Sequence, residues 1–138
     1  MPRPNLLLSV VNNKCPRCRK GNLFVQSNPY HLSQNTAMPE HCPVCHQPYE
    51  LQTGFYFGTG YVSYALSVGL LIMTAVIWNF TIKFSFLDNS IYYWLATNIV
   101  LLLVMQPILQ RLSRSIWIAI FVRYDEDYAL NKPNAVTN

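Results

Sequence analysis

The chain has 138 residues, of which 51% are hydrophobic, 14% are aromatic and only 12% are charged. Soluble globular chains carry about 25% charged residues, so this composition excludes disorder and a solvated helical array and disfavours an ordinary soluble enzyme. The formal net charge is +4 with the cysteines neutral. Ionised cysteines would lower it, leaving too little for a dedicated nucleic-acid binder, so we expect no nucleic-acid partner.

The chain divides into three zones. Residues 1–53 are polar and hold all four cysteines, residues 54–122 are overwhelmingly apolar, and residues 123–138 return to polarity. This division predicts a small water-exposed module, a membrane-embedded pair of helices with a segment after the second span, and a polar C-terminal tail.

The first zone contains the motif C-x2-C-x23-C-x2-C, formed by Cys15, Cys18, Cys42 and Cys45. Each pair places two sulfurs on one side of a tight knuckle, and two facing knuckles complete a tetrahedron of thiolates. A module of roughly 50 residues has too small a core to fold alone, so we expect the metal ion to be a folding element. We predict a zinc ribbon, a small metal-bound β module with zinc as its cofactor. Its expected core residues are Leu23, Phe24, Tyr30, Leu32, Tyr49 and Leu51.

Other chemistries use similar motifs. Paired CxxC knuckles hold a single iron in rubredoxins, which transfer electrons, but these usually carry Gly after the second cysteine, where this chain has Arg19 and His46. Thiol redox exchange is a third alternative, although it does not require a second pair. A closed four-cysteine site offers no position for water or substrate. Because the sequence also shows no Ser-His-Asp order and no phosphate-binding loop, we expect no catalytic residues and no enzyme.

Two uncharged runs follow, at residues 61–82 and 91–110. Each is long enough to cross a hydrocarbon core, which requires roughly 20 apolar residues. The short linker, residues 83–90, predicts an antiparallel two-helix hairpin. The alternative, two buried helices of a soluble core, leaves too little chain to cover them. Pro107 should kink the second helix or loosen its last turn, while residues 115–122 could extend the helix, lie in the interface or form a strand.

Basic residues predict the orientation of this hairpin. Five precede the first span and Arg111, Arg114 and Arg123 follow the second, whereas the linker has only Lys83 beside Asp88. The positive-inside rule therefore places both termini in the cytoplasm. Residues 6–11 are shorter than a signal-peptide core of about 7–15 residues, so we also expect the cysteines in a reducing compartment, where disulfides do not persist.

Several basic side chains are expected near the membrane surface. We predict that they contact anionic lipid headgroups or a partner protein: Arg17, Arg19, Lys20, Arg111 and Arg114. For the first knuckle a further alternative is docking on the acidic run at residues 125–127.

Four segments within about residues 12–128 are distinctive in combination: CPRCRKGNLF, the second knuckle, GFYFGTGYVSYAL and SRSIWIAIFVRYDED. On these segments the sequence resembles a family of small bacterial membrane proteins called domain of unknown function 983. The resemblance implies an inner-membrane protein with a cytoplasmic zinc-ribbon-like module and two spans, but it supplies no reaction. Some members are encoded near terminal-oxidase genes, which suggests respiratory-complex assembly.

Together these features predict a non-enzymatic, membrane-anchored adaptor or accessory subunit of a larger inner-membrane complex. A two-helix hairpin buries little surface by itself, so association with a partner or with a second copy is expected. Two alternatives stay open: a membrane-anchored, rubredoxin-like iron electron carrier, and a protein that delivers or senses a metal.

Overall fold

The computed structural model describes residues 5–83 and 87–133, so that Arg3, part of the linker and the last five residues of the tail lie outside it. These described residues form three α-helices: α1 (Leu6–Val11), α2 (Thr59–Thr81) and α3 (Ser90–Phe121). Single 3₁₀ turns lie at Leu32–Gln34 and Phe55–Gly58.

The short strands expected of a zinc ribbon are not confirmed. Within the described residues, the only β pairings are two isolated bridges, Lys14 with Asn22 and His41 with Pro48. Each bridge closes one cysteine knuckle, and the pairing ends there because the chain between the knuckles turns away to contact α3. Four carbonyl groups of that interval accept hydrogen bonds from arginine side chains of α3.

The helices α2 and α3 form the expected antiparallel hairpin. Trp78 Nε1 donates to Ser90 Oγ at 3.1 Å near the linker, and further along Thr74 Oγ1 donates to Asn98 Oδ1 at 2.7 Å. The Asn98 amide also donates to the carbonyl of Trp94 at 2.8 Å. Polar groups therefore meet between the helices and fix their register.

Both long helices expose their apolar side chains. In the most apolar 18-residue stretch of each helix, 0% of the residues of α2 and 11% of the residues of α3 are buried. A core helix of a soluble protein would be mostly buried. The alternative of a soluble core is therefore disfavoured. By length and composition, both helices can cross a membrane.

Helix α3 is longer than its uncharged run. It has 32 residues and is about 48 Å long, compared with about 30 Å for a hydrocarbon core. Pro107 lies inside the helix and does not end it. Residues 115–122, whose structure the sequence left open, extend the helix as far as Phe121. The last turns of α3 can therefore extend beyond a bilayer.

The polar module packs on these last turns of α3. Ile118 and Val122 are 0% and 2% exposed and join the core formed by the cysteines, Leu23, Phe24, Tyr49 and Phe55. The prediction of Tyr30 and Leu32 as core residues is wrong, because they lie beside or in an exposed 3₁₀ turn, at 51% and 76% exposure. The module therefore shares its core with α3.

The chain reaches α2 through a tight turn against α3. Gly54 has a φ of +76°, a conformation that favours glycine. The ring of Trp117 packs on the backbone of Gly58, where a Cβ atom would lie 2.1 Å from the ring. Trp117 Nε1 donates to the carbonyl of Phe55 at 2.8 Å. The small residues of the GFYFG segment thus form a turn and allow a close contact with α3.

Candidate metal centre

The four predicted cysteines come together in one buried cluster. Cys15 Sγ lies 3.7 Å from Cys45 Sγ, and Cys18 Sγ lies 3.8 Å from Cys42 Sγ. All four sulfurs lie within 4.8 Å of one another. A tetrahedral ion with metal–sulfur bonds of about 2.3 Å separates its sulfurs by roughly 3.8 Å, so the cluster fits one such ion.

Both knuckles have the same backbone design. The Arg19 amide donates to the carbonyl of Cys15 at 2.8 Å, and the His46 amide donates to the carbonyl of Cys42 at 3.0 Å. Arg19 and His46 each have a φ of +55°. This left-handed conformation costs a non-glycine residue roughly 1–2 kcal/mol, which explains why glycine is suited to the position after the second cysteine.

Gly21 is a site residue that the sequence interpretation missed. A Cβ atom there would lie 2.4 Å from Cys42 Sγ, and its own amide donates to Cys18 Sγ at 3.5 Å. The position therefore requires glycine, because the backbone passes directly beside the sulfurs. The sequence signal that could have identified this residue is its position, three residues after Cys18, the second cysteine of the first pair.

Two of the four thiols, those of Cys15 and Cys45, resist ionisation in the absence of a cation. The hydrogen bond with Cys15 lowers the pKa of Cys18 to about 4. That same hydrogen bond and burial raise the pKa of Cys15 above its usual range, and burial raises the pKa of Cys45 to about 12. A divalent ion would supply the positive charge that several adjacent thiolates require. The donor set therefore suits a metal ion, and thiolate sulfur is a ligand for both zinc and iron.

Arg17 joins the first knuckle to the segment after α3. Its side chain is fully buried, and Nη1 donates to the carbonyl of Cys45 at 3.4 Å. Nη2 lies 3.2 Å from Asp125 Oδ2 and donates to the carbonyls of Asn131 and Lys132 at 2.8 and 2.9 Å. The alternative prediction that the basic knuckle docks on the acidic run is thus confirmed for this pair.

The neighbouring basic side chains contact the same segment. The Arg19 guanidinium lies 4.2 Å from the ring centroid of Tyr124. Lys20 Nζ lies 3.4 Å from the Tyr128 hydroxyl. Both cations retain some solvent exposure, so contact with lipid or a partner stays a prediction for these two residues.

Arg111 and Arg114 hold the chain between the knuckles on α3. Arg111 is 4% exposed and donates to the carbonyls of Ser27, Asn28 and Asn35 at 2.9–3.1 Å. Arg114 Nη1 donates to the carbonyl of Thr36 at 3.1 Å.

These contacts correct the expectation for two of the five basic residues. Arg17 and Arg111 are buried and directed into the protein, so they are not placed to bind headgroups in this structure. The physical reason is that main-chain carbonyls in irregular segments need hydrogen-bond donors. Arg111 supplies them to the interval between the knuckles, and Arg17 supplies them to Cys45 and to the segment after α3. Arg114 is half-buried, and its contact with lipid or a partner stays a prediction.

The fold and the site define a class of protein with two helices able to cross a membrane and a four-cysteine cluster able to hold one metal ion. A family model described as "Protein of unknown function (DUF983)" matches residues 33–121, more than half of the chain. The chain belongs to this family, as its resemblance indicated. The match includes the second knuckle and both long helices but begins after the first knuckle. No curated protein and no solved structure matches the chain.

Proposed function

We propose that this protein is a non-enzymatic, membrane-anchored zinc protein that serves as an adaptor or accessory subunit of a larger inner-membrane complex. In this proposal α2 and α3 cross the inner membrane, both termini are cytoplasmic, and the cysteine module is held at the cytoplasmic end of α3. The family resemblance extends the proposal to the assembly of respiratory complexes.

The observation that carries the proposal is that the closed cysteine cluster and the end of α3 share one core. Ile118 and Val122 belong to the same buried core as the four cysteines, so a bound ion would help to fix the module to the helix. Four thiolates fill a tetrahedral coordination shell and leave no position for a substrate. Such a site supports a rigid binding surface better than it supports catalysis.

Metal content is the first test. Protein purified in mild detergent from its own host should contain one zinc per chain and show no visible absorption band. Cys42→Ser should lose most of the zinc, while the control Val44→Ser, an exposed non-ligand in the same knuckle, should keep it. Equal zinc in both variants would contradict the assignment of the site.

Two other results would replace the proposal. One iron per chain with a redox-sensitive thiolate-to-iron band would indicate the electron carrier. Zinc that a competing chelator removes within seconds would indicate metal delivery or sensing, because a structural ion is expected to leave slowly.

Orientation can be tested by thiol labelling in intact cells. Leu87 and Leu130 are 98% and 86% exposed, and they lie at opposite ends of α3. An impermeant maleimide should label Leu87→Cys in spheroplasts but label Leu130→Cys only after permeabilisation. The reverse pattern would invert the topology. The adaptor role itself requires co-purification of a larger membrane complex, and a chain that migrates alone in mild detergent would argue against it.

A further inference from the structure

The short helix α1 has its polar residue inside and its apolar residues outside. Ser9 is 5% exposed, and its hydroxyl donates to the carbonyl of Asn5 at 3.2 Å. Leu7, Leu8 and Val11 are 79%, 59% and 65% exposed. A helix on a water-facing surface has the opposite arrangement. The exposed side chains of α1 therefore favour an apolar environment over water.

Helix α1 lies against α3 at the level where the uncharged run of α3 ends. Val11 lines the same small cleft as Ile108 and Leu112. Immediately after α1, Asn13 accepts a hydrogen bond from Ser115 Oγ at 2.8 Å. The helix therefore lies beside the turn at which α3 would leave a hydrocarbon core.

The exposed leucines of α1 continue the apolar surface of the long helices. On α3, Leu103 and Val104 are 70% and 51% exposed, one to two turns before the level of α1. Residues 6–11 contain no charged side chain. Their surface therefore offers no ion-pairing group to a protein partner, whereas acyl chains require only apolar area.

We propose that α1 is an interfacial membrane helix whose exposed face, Leu6, Leu7, Leu8 and Val11, is covered by lipid acyl chains. The inference rests on the proposed insertion of α2 and α3. Because three residues separate Val11 from Cys15, an α1 held in the bilayer interface would fix the first knuckle close to the membrane surface.

The proposal is tested by leucine-methyl NMR of the zinc-loaded chain in lipid nanodiscs. Two paramagnetic probes are used in separate samples, a lipid with a nitroxide near the top of its acyl chain and a water-soluble gadolinium chelate. Leu7 is compared with Leu103 as the bilayer reference and with Leu130, 86% exposed, as the water reference. Single Leu→Ile substitutions assign the three signals without altering polarity.

The expected result is that the nitroxide lipid broadens Leu7 more than Leu130, while the gadolinium chelate broadens Leu130 and spares Leu7. If Leu7 follows Leu130 with both probes, or is protected from both as in a protein interface, the inference is overturned. If Leu103 also follows Leu130, the membrane insertion itself fails. The two failures are therefore distinguishable.

Discussion

Replacing Arg17 with methionine should release the segment after α3 from the metal knuckle. The arginine is fully buried and donates to three backbone carbonyls, those of Cys45, Asn131 and Lys132. Only the bonds to Asn131 and Lys132 reach the segment. Each such hydrogen bond contributes about 1 kcal/mol net, so the loss for release of the segment is about 2 kcal/mol. The carboxylate of Asp125 can remain hydrated after the change, and we therefore add nothing for the ion pair.

A loss of this size raises the open population of the segment roughly 30-fold. Amide hydrogen exchange at residues 125, 130 and 131 measures it, because their N–H groups bond within this segment or to the Arg17 carbonyl. Zinc content is measured in the same sample to separate release of the segment from loss of the ion. Lys20→Met is the control, since its exposed cation should change exchange less than threefold. If Arg17→Met retains zinc and changes the amide exchange rates no more than this control does, then Arg17 does not hold the segment on the knuckle.

Three further substitutions test the knuckles and the hairpin. Gly21→Ala should reduce zinc content and thermal stability, because the added Cβ atom would lie 2.4 Å from a ligand sulfur. The control Gly60→Ala, whose Cβ atom would have nothing within 4 Å, should change neither quantity. Equal losses in the two variants would contradict the close approach of the backbone to the sulfur. His46→Gly should raise the free energy of unfolding by about 1 kcal/mol by relieving a positive φ, and a loss of stability on this change would indicate an unrecognised role for the imidazole. Thr74→Val should weaken the association of α2 with α3 by about 0.6 kcal/mol, measured in a steric-trap unfolding assay. The control Thr97→Val loses only a hydrogen bond within its own helix and should have no effect. An equal loss in both variants would exclude an interhelical role for the Thr74 hydroxyl.

The cysteine cluster and the hairpin could be predicted because each depends on a pattern of residues that are close together in the sequence. The CxxC spacing constrains a single turn, and an uncharged run predicts a helix of known length. The core could not be predicted in the same way. Ile118 and Val122 complete it from the far end of α3, and nothing near the cysteines signals a contact across that separation. A self-contained module would need Tyr30 in its core, but α3 supplies that apolar surface and Tyr30 is exposed.

The arginines show a second limit of sequence interpretation. A basic side chain just after an apolar run can bind either a lipid headgroup or backbone carbonyls. Which of the two it binds depends on the segment of the protein that packs beside it. Around Arg111 that chain is an irregular interval whose carbonyls have no strand to bond with, so the guanidinium is drawn inward.

The absence of strands among the described residues changes what holds the module together. In a ribbon, the sheet and the ion organise the knuckles without help from another element. Here the two knuckles are connected by an interval fixed to α3 through Arg111 and Arg114, and the first knuckle is fixed to the segment after α3 through Arg17. Three basic residues that the sequence interpretation assigned to lipid or partner contact therefore stabilise the fold. Membrane insertion would place α3, and α3 would then place the metal site.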